Sequence, residues 1–375
     1  MRLRPAGLLL FSGLLAGCSN PSTPTPTVLP PTIPVPSSVT ATQGSTYAIS
    51  VFAKAPGALQ PDDLLQVGTS VFVLYQDTNV NPDGTFANGE TSSKAEVIEY
   101  DEKGNVLQTF PMPGHPDGLA EFNATTVWVS SNEDGNPIIT AINTTTNTLQ
   151  SYTSDVATLP HGGGIDDMKV INGVVYASAS APATTFSPSP NLAPYSTDAS
   201  GATAFYGVNT GPALYKIALN SDGKTFHSTP VLMSSTPTTL IEGNTPVTLN
   251  MTDADSSMID PAGDLVIDSQ QDSELVFIKN LGTSTQSTSV LNVTLYGNPW
   301  PLDDTRWSPA SGTSFMLVSD TPQQLVYMIT APSGFPASTA YSAGQGTVLQ
   351  TNTTTGVMTP IYIGMNNPHG LIFVQ

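Results

Sequence analysis

The sequence predicts an all-β chain folded as a β-propeller, with six blades of four antiparallel strands each. Three observations carry that expectation. Beyond residue 46, short runs rich in Val, Ile, Tyr and Phe alternate with Gly, Asn, Asp and Pro. No segment of useful length carries a helical apolar period. A local pattern also recurs six times: Asp, once His, then a small or acidic residue, then an apolar residue that opens a strand.

The six recurrences are Pro61-Asp62-Asp63-Leu64, Pro116-Asp117-Gly118-Leu119, Ile165-Asp166-Asp167-Met168, Ala254-Asp255-Ser256-Ser257-Met258, Leu302-Asp303-Asp304-Thr305 and Pro368-His369-Gly370-Leu371. Most are followed by a second, very apolar run, a polar loop and a third run, as in Asp264–Asp268 and Leu275–Lys279. Their spacing, roughly 45–55 residues, suits four-stranded blades. The interval from Asp166 to Asp255 is about twice that. Residues 181–210, which show no strand pairs, read as an inserted loop.

In this scheme Ser314–Met328, with Asp320, supplies the outer strands of the fifth unit. Gly370–Val374 becomes the innermost strand of a sixth blade completed by N-terminal strands, including Tyr47–Ala53. Closing a ring this way removes sheet edges. The N-terminal segment is short for three further strands, which leaves seven blades or an irregular sixth as alternatives.

Ahead of the propeller (residues 47–375) lie two other segments. Residues 1–17 carry Arg2 and Arg4, then an apolar run from Leu8 to Ala16, as a secretory signal does. That run is about half the ~20 residues a membrane-spanning helix needs. Leu15-Ala16-Gly17-Cys18 resembles the lipobox of bacterial lipoproteins, in which the cysteine is acylated and becomes the first residue. Cys18 is the only cysteine of 375 residues, so the chain can form no internal disulfide. The resemblance implies a lipid bilayer as a partner, and Ser19 implies the outer membrane. Residues 18–46, dominated by Pro, Thr and Ser, read as a tether.

The chain has 29 acidic and 10 basic residues, a net charge of −19. Nucleic acid is a poor partner, because phosphate contacts need clustered Lys and Arg. Cations, polyols, sugars or an envelope protein are compatible partners.

Blade geometry turns these motifs into a site. The starts of innermost strands and the ends of second strands share one rim of the channel. The first set holds Asp62, Asp117, Asp166, Asp255 and Asp303 with Asp63, Asp167, Asp253, Asp304 and His369. The second holds Asp77, Asn132, Glu133, Asp134, Asp268, Asp272 and Asp320. Fifteen of the 29 carboxylates then crowd one face, and such crowding calls for a cation or for protons. Oxygen ligands at a channel mouth suit Ca²⁺, which accepts six to eight of them in loose geometry. His115, His161 and His369 fall at strand starts and are the candidate proton carriers. Trp300 is the candidate platform for a sugar ring. The competing reading of each Asp is a turn residue that caps backbone amides.

The run Asp260-Pro261-Ala262-Gly263-Asp264 through Phe277 resembles an NHL repeat. The whole arrangement resembles the six-bladed propellers of the gluconolactonase, senescence-marker and paraoxonase group. That resemblance implies a catalytic Ca²⁺ held at first-strand starts, with Asp117 and Asp255 in matching positions and Asp62, Asp166 and Asp303 in equivalent ones. The group's asparagine ligands are not evident here, and Asp62 stands where it has Glu. Two functions follow as expectations: a metal-dependent hydrolase of lactonase type, or a non-catalytic binding propeller of NHL type.

Overall fold

The structure is a computed structural model. It describes residues 33–156, 159–180, 196–197, 203–204, 211–310 and 315–375. Among them no helix is long and apolar enough to cross a membrane. Six four-stranded blades are present. Their innermost strands, Gln60–Val67, Pro116–Asn123, Met168–Ile171, Ala254–Ile259, Asp304–Trp307 and Pro368–Val374, touch in that order and close the ring.

Blades one, two and four follow simple chain order, through Pro111, Ser154 and Asn292. Blade three does too, but takes the 181–210 insertion between its second strand (Val174–Ser178) and its third (Pro212–Leu219). Within the insertion, Ser196–Thr197 and Thr203–Ala204 pair antiparallel, which corrects the expectation that it holds no strand pair. Part of the long interval after Asp166 has another source. A hairpin, Pro237–Leu240 with Thr245–Thr248, extends blade four beyond its outermost strand, Ser287–Asn292.

Blades five and six depart from the expected order. The strands Phe315–Asp320 and Leu325–Thr330 follow the inner strand of blade five in sequence, yet they pair into blade six, against Pro368–Val374. The chain then returns to finish blade five with Ala340–Gly344, Thr347–Thr351 and Val357–Ile363. Ala48–Lys54 closes blade six on the outside. The N-terminal segment therefore supplies one strand rather than three, which removes the shortage that left seven blades open. Residues 34–46, placed in the tether by composition, pack on the propeller: Thr40–Ala41 pairs with Ile363 and Tyr362, and Val39 is buried.

Six apolar clusters hold the ring, one at each blade–blade interface. The second strand of blade one shows why. Val71, Val73 and Tyr75 pack toward blade six, while Phe72 and Leu74 pack toward blade two. Strand periodicity sends alternate side chains to opposite faces, and both faces are buried. The second strands read as unbroken apolar runs for that reason.

Candidate functional site

The innermost strands carry a two-blade rhythm. Blades one, three and five begin Asp-Asp, and in each the second Asp latches the next blade. Asp63 accepts from Leu119 N at 2.7 Å, Asp167 from Ser257 N at 2.8 Å, and Asp304 from Leu371 N at 2.8 Å. Blades two and six answer with glycine. A Cβ on Gly118 would stand 2.6 Å from Asp167 Cα, and one on Gly370 would stand 2.6 Å from the Asp62 carbonyl oxygen. The close approach lets the first Asp of each pair face the channel while the second bridges blades.

Those first acids meet in one cavity of 260 Å³ at the channel mouth. Asp62, Asp117, Asp166, Asp255 and Asp303 line it, with His115, Glu133, Asp134, Asp167, Asp253 and His369. His115 Nδ1 lies 2.9 Å from Asp117 Oδ1. His369 Nδ1 lies 2.8 Å from Asp62 Oδ1 and 3.1 Å from Asp303 Oδ2. Gln76 Nε2 donates to both Asp62 (3.1 Å) and Asp117 (3.0 Å). Ser180 Oγ donates to Asp253 at 3.1 Å and reaches Glu133 at 3.3 Å.

Burial of so many acids decides their protonation. Burial, with repulsion from neighbouring carboxylates, pushes Glu133, Asp166 and Asp255 well above the usual carboxylate range. Burial also raises Asp303 to about 7 and Asp117 to about 6, although His369 and His115 respectively pull them down. The histidines move upward as well. Burial alone would lower His115, but Asp117 outweighs it and holds it at about 9. His369 is held at about 10 because Asp303 and Asp62 outweigh burial in the same way.

Other expected site residues serve the scaffold. His161 lies outside the cavity lining: its Nδ1 pairs with Tyr215 OH at 2.8 Å and its Nε2 with Ser180 O at 2.9 Å. Burial lowers it to about 4, so a buried neutral ring with both nitrogens engaged replaces the expected proton carrier. Asp320 accepts from Asn366 N and Asn367 N, and Asp272 from Thr252 N, as turn-capping carboxylates do. Asp77 likewise caps Asn79 N and Lys94 N. Asn132 sits at φ 72° and holds the His115 backbone through its Oδ1. Asp268 is fully buried below the rim near Asp304 and Arg306, and Asp304 forms an ion pair with Arg306 at 2.6 Å. Trp300 packs, partly buried, against the cluster between blades four and five and is not among the residues lining the acidic cavity.

Gln76, Ser180 and Gln270 line the cavity and were missed in the sequence. Each lies at or just after the end of a second strand, the same position that drew attention to the acids. A search for charge alone passes over neutral donors there.

One trio of metal-ligating groups occurs among the described residues: His115, Asp117 and Glu133, whose donor atoms lie within 4.8 Å of one another. Of the five expected Ca²⁺ ligands only Asp117 belongs to it. The trio fits a divalent cation in a second respect. Asp117 Oδ2 is buried without a hydrogen-bond partner, as an oxygen awaiting a cation would be.

No protein-family model matches the chain, and no curated protein matches its sequence. Among solved structures, a protein provisionally called a gluconolactonase is 13% identical, with a TM-score of 0.40 over 87% of this chain and 95% of that one. A protein from Lactobacillus plantarum is 11% identical, with a TM-score of 0.44 over 84% of this chain and 88% of its own. A streptogramin B lyase is 12% identical, with a TM-score of 0.36 over 86% and 90%.

Proposed function

We propose that the cavity is a divalent-cation-dependent hydrolytic site of lactonase type, on a propeller held at the cell envelope by lipid on Cys18. The observation that carries the chemistry is the His115–Asp117–Glu133 trio, set beside Asp166 and Asp255, which burial and mutual repulsion hold well above the usual carboxylate range. Its single imidazole nitrogen departs from the all-oxygen set that Ca²⁺ favours and suits Zn²⁺ or Mn²⁺ better. A bound ion of this kind supplies Lewis-acid polarisation of a carbonyl.

The chain's own residues divide the remaining work. His369, at about 10, is protonated at neutral pH, so among the candidate proton carriers it serves as a proton or hydrogen-bond donor. Asp303, 3.1 Å from it and titrating at about 7, is matched to take and return a proton near neutrality. Gln76 orients Asp62 and Asp117 together.

Calorimetry with Zn²⁺, Mn²⁺ and Ca²⁺ on chelator-stripped protein tests this reading. We expect one saturable site for Zn²⁺ or Mn²⁺, weakened at least about tenfold by His115→Gln or Glu133→Gln. Hydrolysis across a lactone panel should vanish on chelation and return with the tight-binding ion. No saturable heat from any ion would sink the metal site, and tight binding without turnover would make this a binding propeller.

The anchor rests on Leu15-Ala16-Gly17-Cys18. Cys18→Ala should move the protein from the membrane to the soluble fraction of an expressing Gram-negative cell. Unchanged membrane association would refute the lipid anchor.

A further inference from the structure

A second cavity, of 250 Å³, adjoins the acidic one and shares Gln270 and Asp303 with it. The rest of its lining is uncharged. Four carboxamides, from Gln270, Gln271, Gln345 and Asn367, surround the space, with Pro301 and Leu302 as the apolar wall. The interleaving of blades five and six assembles it: Gln345 belongs to a hairpin of blade five, and Asn367 precedes the inner strand of blade six.

Gln345 is the informative residue. With Gly346 it forms the two-residue turn joining Ala340–Gly344 to Thr347–Thr351, and both carry positive φ, 44° and 76°. Such mirror-image turns favour Asn, Asp or Gly at the first position, so a longer Gln there is strained. Strain of this kind persists at positions that serve a ligand. The Gln345 side chain makes no hydrogen bond among the described residues, so its donor and acceptor both remain available at the cavity. Asn367 connects the two spaces: its carboxamide lies 2.6 Å from His369 Nε2, and because a protonated ring donates there, the amide oxygen is the end that faces it.

We propose that this second cavity is a specificity subsite for an uncharged group that both donates and accepts hydrogen bonds, a hydroxylated ring or a carboxamide. That group would be carried by the same ligand whose reacting end enters the acidic cavity. The proposal rests on reading the acidic cavity as a reaction site. Carboxamides donate and accept at once, so they satisfy hydroxyls and amides alike. A carboxylate only accepts, and Asp303 in the shared wall repels it. A cation is drawn instead into the acidic cavity.

The test is ligand-observed NMR on the full chain in EDTA, with myo-inositol, N-acetylglycinamide and its charged twin N-acetylglycinate. At least one neutral probe should bind saturably, with a dissociation constant on the order of millimolar. The anion should bind at least tenfold more weakly. Gln345→Gly, which relaxes the turn while removing the amide, should weaken the neutral probe at least tenfold, and Gln271→Ala should weaken it in the same direction. Binding of inositol alone assigns a hydroxylated ligand, and binding of the amide alone assigns a carboxamide. Silence from both probes, equal binding of the anion, or indifference to both substitutions overturns the proposal. Because chelator is present throughout, the outcome is independent of the metal site. His115→Gln should leave probe binding intact, so failure of one reading is separable from failure of the other.

Discussion

Stripped of divalent cations, the protein should melt at a higher temperature at pH 5.5 than at pH 8, the reverse of ordinary acid denaturation. The cause is the direction in which the site's groups are displaced. Burial raises Asp117 to about 6, Asp303 to about 7 and Asp63 to about 8, and, with repulsion from neighbouring carboxylates, lifts Glu133, Asp166 and Asp255 well above the usual carboxylate range. For each of these acids the folded state holds its proton more tightly than the unfolded chain does. The stabilisation is therefore complete below the ordinary carboxylate pKa, and it is lost as pH rises through these raised values. His115 and His369, raised to about 9 and about 10, act in the same sense over a higher window: their stabilisation is full below about 6.5 and is lost as pH climbs through 9–10.

His161 opposes them. Lowered to about 4 by burial, it stabilises the fold above its ordinary value and loses that contribution as pH falls toward 4. The acids outnumber it, so the net slope from pH 8 to 5.5 should be negative, on the order of 5–10 °C. A saturating divalent cation should flatten the slope, since the ion neutralises the same charge that protons otherwise must. Thermal melts at five pH values, with and without EDTA, suffice. A melting temperature that is flat or falls on acidification in chelator would refute the account.

Arg306→Met should cause the largest loss of stability of any single substitution in the channel, about 3–5 kcal/mol. The guanidinium pairs with Asp304 Oδ1 at 2.6 Å, faces Asp63 Oδ1 at 3.8 Å, and donates to Ser257 O at 2.9 Å. Both acids are latches that bond Leu119 N and Leu371 N of the following blades. Removing the cation leaves buried Asp304 with only the weaker pull of Lys169 as counter-charge, and breaking a buried pair from one side is the costly case. The double variant Arg306→Met/Asp304→Asn should recover part of the loss, because the amide keeps the shape without the charge. Urea midpoints measure both. A loss below about 1 kcal/mol would mean that the acids are neutral without Arg306.

Much of this was legible in the sequence because a propeller's channel is lined by one strand position per blade. The Asp-x-apolar starts identify that position six times, and the five first acids and His369 do meet at the cavity. The roles of Asp320 and Asp272 were not legible. A carboxylate that caps amides and one that faces a ligand carry the same letter, and only the neighbouring backbone decides between them. His161 misled for the same reason: its partners, Tyr215 and Ser180, are 54 and 19 residues away. The pairing of Phe315–Asp320 with Pro368–Val374 was hidden too, because strand adjacency is a property of the folded sheet rather than of local composition.

The interleaving of the last two blades also bears on how the chain is made. When residues 315–330 leave the ribosome, the inner strand they must pair with, Pro368–Val374, is roughly forty residues from being synthesised. Blade five is equally incomplete, since its inner strand waits for Ala340–Gly344. Neither blade can form alone, so ring closure becomes one late event of high contact order. The two blades lock together only when Pro368–Val374 slides in beside its waiting neighbours.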